Sequence, residues 1–305
     1  MSDRTDEPIG ALLMGYGSPS GPEDLPGYLA EVLHGRAPSE EMVEEYVRRY
    51  ERIGGSPQNR ILASVREQLE RRLSSARPGS RVYLGMKHWK PRIPDVVEAA
   101  RRDGISSLRA VPLTPYESIW IMEPYRAGID EAVRATGGAV AIDLRAGWHL
   151  DPSWIGYWAR EIRAELARAD DPNAAVILSA HSLPQRFRDR GDPYPELVRA
   201  TALAVAAAAG LERWSFTFQS PGNTTEPWLG PDIVDTMAGW RSKGATTQIV
   251  ASTGFVFDHL ETLYDLDVVV QEAARERGIR YRRVPQPNDA PEIVEALARR
   301  LFGPA

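Results

Sequence analysis

The chain has 305 residues, enough for about two domains that each bury a core of their own. Its 42 acidic and 37 basic residues leave a formal charge of -5, which excludes nucleic-acid binding driven by bulk positive charge. Cysteine is absent, so thiolate nucleophiles, disulfides, Cys-type zinc sites and cysteine-held iron–sulfur clusters drop out, and any metal must be met by nitrogen and oxygen donors. The first seven residues lack a basic stretch followed by an apolar one, and no apolar run approaches about 18 residues, so a cytoplasmic protein with no transmembrane anchor is expected.

Eight short runs, most of them rich in Val, Ile and Leu, predict strands at 9–14, 82–86, 108–113 and 139–144, then at 174–180, 214–218, 246–252 and 280–284. Helical periodicity fills the gaps at 38–52, 59–75, 93–103, 119–136, 152–169, 193–209, 233–241, 258–277 and 291–301. Within 59–75, Leu62, Val65, Leu69 and Leu73 have the spacing of a buried stripe. Alternation of strand and helix predicts an α/β protein with parallel sheets, four strands in each half. The domains are expected at 1–150 and 151–305, the final helix packing back on the first, with the ligand in a cleft between them, beyond the carboxyl ends of the strands.

Residues directly after the apolar runs are therefore the ones to weigh. Of the five histidines only His181 directly follows a strongly apolar run, in Ser179-Ala180-His181-Ser182-Leu183-Pro184. A neutral imidazole there suits metal binding or proton transfer, and equally a ring that satisfies loop backbone groups. Asp258, Glu261 and Asp265 fall at i, i+3 and i+7, one stripe of a helix. Asp258-x-x-Glu261 fits an N-terminal cap better than a metal site when taken alone, but Glu261 with His181 would form an N/O pair for a divalent first-row metal. Gly15-Tyr16-Gly17-Ser18-Pro19 fails the dinucleotide fingerprint, since its third glycine is misplaced and prolines remove amide donors. A turn with a packed tyrosine and a close-approach surface for a flat ligand both fit it. The long loop from Gln219 to Asp232 holds Trp228, which argues for order. Its Asn223-Thr224-Thr225 matches a glycosylation acceptor by chance.

Taken together, Gly15–Pro19, Arg49-Tyr50 with Gly54-Gly55-Ser56-Pro57, Gly85-Met86-Lys87-His88, Ser179–Pro184, Gln219–Asp232, and Gly254-Phe255-Val256 with Asp258-His259-Leu260-Glu261 and Tyr264-Asp265 resemble the ferrochelatase family. The likeness is collinear over nearly the whole chain and is nearest to the soluble bacterial coproporphyrin ferrochelatases. It implies two Rossmann-like, chelatase-like domains that insert Fe(II), the substrate metal, into a porphyrin, with no organic cofactor and no iron–sulfur cluster. By that resemblance His181 and Glu261 are the catalytic, metal-meeting pair, and Tyr16 faces the iron from the other side. Arg49, Tyr50, Ser56, Tyr125, Lys87, His88 and Trp228 contact the porphyrin, and Asp265 is an outer acid.

Coproporphyrin III is the expected substrate, with protoporphyrin IX, cobalt insertion into another tetrapyrrole, and a non-catalytic two-lobed haem or solute carrier as alternatives. One departure concerns metal delivery. Val269 stands where relatives continue the acidic stripe, leaving Asp267 or Glu272 as replacements. A second places Pro115-Tyr116 where a Pro-His pair is frequent.

Overall fold

The computed structural model describes residues 10–222 and 224–303. The expectations at residues 1–7, at Ile9 and at Asn223 lie outside the described residues.

All eight expected strands are present: β1 (Gly10–Gly15), β2 (Arg81–Met86), β3 (Ser107–Pro112), β4 (Ala141–Leu144), β5 (Ala175–His181), β6 (Trp214–Gln219), β7 (Thr247–Ala251) and β8 (Arg280–Arg283). They form two wholly parallel sheets, ordered β2-β1-β3-β4 and β6-β5-β7-β8. Parallel pairing requires crossover connections, and the long helical segments between the strands supply them.

The helices are α1 (Leu25–Val32), α2 (Glu40–Arg52), α3 (Gln58–Ala76), α4 (Ile93–Arg102), α5 (Ile119–Ala135), α6 (Pro152–Ala169), α7 (Gln185–Asp189), α8 (Tyr194–Ala209), α9 (Ile233–Ser242), α10 (Leu260–Leu263), α11 (Gln271–Glu276) and α12 (Pro291–Phe302). Two of these, α1 and α7, were not expected, being short elements with two turns or fewer of periodic signal. The helix expected over 258–277 is also corrected. It divides into α10, a π-helical segment Asp265–Val270, and α11. Leu266, Val270 and Ala274 face the core at helical spacing, and Thr262, four residues before Leu266, is buried in line with them.

The chain divides into two units. Unit one holds the residues before Tyr116, then Trp120–Trp148, and those from Asp289 on. Its core joins Leu12, Met14, Leu108 and Ala110 of the sheet to Val97 of α4 and to Met122 and Tyr125 of α5. On α3 the expected stripe of Leu62, Val65, Leu69 and Leu73 is buried, and α12 packs on α3 and β3. Arg109 and Arg145 donate to the carbonyl of Leu301 at 3.1 and 3.2 Å, which satisfies the end of α12.

Unit two holds Tyr116–Ile119 and His149–Asn288. There Ile177 and Val250 of the sheet pack with Ile233 and Met237 of α9 and with Leu266 and Val270. The indoles of Trp154 and Trp158 on α6 are fully buried and meet edge to face at 5.6 Å. No described helix is long and apolar enough to cross a membrane.

Candidate functional site

His181 is the last residue of β5, in register with Gln219, the last of β6. The following strand, β7, ends in a turn that folds back onto β5: the Gly254 amide donates to the Ser179 carbonyl at 2.9 Å. A Cβ at Gly254 would lie 2.5 Å from Ala180 Cα and 3.2 Å from His181 N, so only glycine permits this approach. The same turn delivers Phe255, whose ring stands perpendicular to the His181 imidazole at 6.0 Å and to His259 at 4.6 Å.

Past that turn the chain enters α10. The cap is His259, not Asp258 as the spacing suggested. His259 Nδ1 accepts from the Glu261 amide at 3.1 Å, and Thr262 Oγ1 accepts from the His259 amide at 2.9 Å, closing a capping box. Asp258 is instead engaged by Arg283 at 3.2 Å, and it accepts from Asn288 Nδ2 at 2.8 Å and from Thr262 Oγ1 at 3.3 Å. Arg283 also grips both oxygens of Asp267, at 2.6 and 2.8 Å. One buried guanidinium thus ties the start of α10 to the π segment.

This scaffold leaves the Glu261 carboxylate 3.5 Å from His181 Nε2, with the imidazole a quarter exposed and the carboxylate nearly half exposed. On its other side His181 Nδ1 contacts the Ser182 carbonyl. Burial opposes a charge on His181, but Glu261, the Ser182 carbonyl and Asp265 outweigh it and raise the imidazole to about 9. The pairing with Glu261 thus favours the protonated imidazole. A pKa near 9 leaves the ring protonated at neutral pH. Desolvation shifts the half-buried His259 the other way, which favours the neutral ring that accepts at the cap.

Three acids on one stripe are not what the fold makes. Asp258 is withdrawn into its pairing with Arg283, and Asp265 opens the π segment and acts on His181 through its charge. Of the two suggested replacements for the acid missing at Val269, Asp267 is held by Arg283, while Glu272 lies 3.4 Å from Arg275. Among the described residues no three His, Asp or Glu side chains gather to hold a metal. His181 and Glu261 form an open two-donor arrangement.

Sequence reasoning missed the support beneath this pair. Gln219 is fully buried, and its Oε1 accepts from Ser179 Oγ at 2.6 Å and Ser252 Oγ at 2.9 Å. Tyr194 donates to the His181 carbonyl at 2.9 Å, and Tyr116 donates to the Thr253 carbonyl at 2.6 Å. Strand register was the one signal for Gln219, and it emerges only once β5 and β6 are paired.

In unit one, Tyr16 follows the carboxyl end of β1 and is 40% exposed, a large aromatic face held out to solvent. Gly17 adopts φ +103°, and a Cβ there would meet the Trp89 backbone at 2.9 Å. Lys87 Nζ lies over the Tyr16 ring at 4.5 Å and over the Tyr125 ring at 5.1 Å, so a cation joins the two phenols. The His88 ring stands 4.7 Å from Tyr16, and burial, helped by Lys87 and His34, drives its pKa down to about 3. Four of the expected porphyrin contacts, Tyr16, Lys87, His88 and Tyr125, thus form one cluster.

The others have neighbours of their own. Arg49 pairs with Glu45 on α2, Tyr50 packs with the α1 cluster of Leu25, Tyr28 and Leu29, and Ser56 Oγ accepts from the Gln58 amide at 3.3 Å at the start of α3. In unit two, Trp228 Nε1 donates to Thr224 Oγ1 at 2.9 Å, and its indole covers Gly222.

Comparison with known proteins places these features in context. The family model described as Ferrochelatase matches residues 8–302. Coproporphyrin III ferrochelatase of Geobacillus sp. (strain WCH70) is 37% identical over 297 residues, 95% of this chain and 96% of the relative. The enzyme of the same name from Bacillus subtilis (strain 168) is 35% identical over 297 residues, again 95% and 96%. Among solved structures, the sirohydrochlorin chelatase SirB from Bacillus subtilis subspecies spizizenii, in complex with cobalt, superposes with a TM-score of 0.61 over 97% of this chain and 94% of that one. At 12% identity that last likeness concerns the fold.

Proposed function

The chain belongs to the ferrochelatase family, enzymes that insert a metal into a porphyrin, and from that premise we propose that it inserts Fe(II) into coproporphyrin III, yielding an iron coproporphyrin for haem biosynthesis. The observation that carries the reading is the His181–Glu261 pair, an imidazole and a carboxylate 3.5 Å apart at the carboxyl end of a parallel strand. Two hard or borderline donors and no thiolate suit a metal that must be held only briefly. The coproporphyrin preference rests on relatives of that name at 35–38% identity over about 95% of the chain.

Insertion exchanges one Fe(II) for two pyrrole protons. In this reading Fe(II) arriving at the pair would release the His181 proton to solvent, and once the metal has passed to the macrocycle the imidazole and the carboxylate would each take one of the two pyrrole protons. Asp265, whose charge reaches His181, helps the site carry positive charge while metal and protons change places. Tyr16 would present its exposed ring to the porphyrin. Lys87, His88 and Tyr125 position Tyr16, and Arg49, Tyr50, Ser56 and Trp228 contribute further porphyrin contacts. His88, kept neutral by burial, adds no charge beside Lys87. The cytoplasmic placement and the absence of any iron–sulfur cluster belong to the same reading, and the cysteine-free sequence supports the latter.

Anaerobic incubation of the purified protein with Fe(II) and coproporphyrin III, followed by absorbance, tests it. Metalloporphyrin bands are expected, formed faster than with protoporphyrin IX. Equal turnover of the two porphyrins would overturn the substrate choice, and turnover of neither would overturn the reading.

A further inference from the structure

Gln219 touches β5, the end of β7 and the start of α10, the segments that bring His181 and Glu261 together. Its backbone stands in register with His181, and its carbonyl accepts from the Ser182 amide at 2.7 Å. Its fully buried amide reaches Ser179 on β5, Ser252 at the end of β7, and the backbone carbonyl of Glu261 on α10. The orientation of that amide follows from chemistry. A backbone carbonyl only accepts, so the atom facing Glu261 must be Nε2, and the two serine hydroxyls then donate to Oε1. The Nε2 contact is long at 3.5 Å, whereas the two serine contacts are short at 2.6 and 2.9 Å. The serines therefore fix the amide, and the amide fixes where α10 begins relative to β5.

We propose that Gln219, oriented by Ser179 and Ser252, is a positioning residue that sets the His181–Glu261 geometry for metal transfer. This rests on the reading of His181 and Glu261 as the metal-handling pair. Supports of this kind orient donors they do not replace, and losing one lowers metal affinity or activity about 10–100-fold.

The test compares Gln219→Met, which keeps the length and removes the amide, with Thr217→Val on the same strand. Thr217 is equally buried but bonds to the Pro231 carbonyl and to Thr236, away from His181. Expected for Gln219→Met is a fall of about tenfold or more in kcat/KM for Fe(II), with KM for coproporphyrin III unchanged and with Thr217→Val at wild-type values. Two results overturn the inference: wild-type kinetics in Gln219→Met, or equal kinetic losses in both variants, which would mark a general effect of weakening the strand. If Gln219→Met does not fold, Ser252→Ala removes one orienting donor with less disturbance. A several-fold fall is expected there, and unchanged kinetics overturns the inference. His181→Ala separates the levels. If that variant is inactive while Gln219→Met is normal, the positioning role alone fails. If His181→Ala turns over normally, the reading of the site fails and the inference goes with it.

Discussion

His181 and Glu261 face each other at 3.5 Å from elements far apart in sequence, the carboxyl end of β5 and the first turn of α10. Glu261 helps hold a proton on His181, so neither is expected to work alone. His181→Ala and Glu261→Gln should each lower Fe(II) insertion by at least about 100-fold, the scale of a lost acid–base group, while porphyrin binding persists. Steady-state insertion and porphyrin fluorescence quenching, measured on the same samples, check both halves.

The Gly254 turn gives a prediction of a different kind. A methyl group there must displace Ala180 or the His181 amide. Gly254→Ala should cost about 1–3 kcal/mol of stability by overpacking, and it should lower insertion because the displaced backbone carries His181. Denaturant unfolding gives the first quantity and initial rates the second. Full stability would show that the turn yields without strain.

Arg283 has little solvent access, and its removal would leave Asp258 and Asp267 without their cation. Breaking a buried pair on one side costs about 3–5 kcal/mol; with Asp267 about a third exposed, the lower end is expected for Arg283→Met. Adding Asp267→Asn should restore part of the loss. A double-mutant cycle by urea denaturation measures the coupling.

His88 makes stability depend on pH. Its native pKa is depressed to about 3, against about 6.5 when unfolded, so between those values only the unfolded chain binds the proton. Stability should therefore be unaffected by His88 above about pH 6.5 and decline as the pH falls toward 3, by up to about 1.4 kcal/mol per pH unit. His88→Asn should flatten that decline. Urea midpoints from pH 7 to pH 4 test it, and an identical slope in the variant would refute the assignment.

The sequence by itself determined the repeating plan and the chemistry on offer. Runs of aliphatic residues separated by helical periods located the central strands β1, β5 and β7 because a parallel strand buried on both faces is apolar nearly throughout, whereas the edge strands β4 and β8 are partly exposed and followed from the strand–helix alternation. His181 was legible for the same reason, as the first titratable side chain beyond such a run. The absence of cysteine fixed the donor set before any fold was known.

Tertiary structure decided how the acids near Glu261 are used. Spacing placed Asp258, Glu261 and Asp265 on one stripe and made Asp258 the cap. Arg283 and Asn288, distant in sequence, draw Asp258 away, and His259 takes the cap because its Nδ1 then meets the Glu261 amide. Gln219 was a polar residue at the head of a loop until strand pairing set it beside His181. Local pattern fixes which side chains a segment offers, whereas the charge state and aim of each depend on partners that only the folded chain brings near.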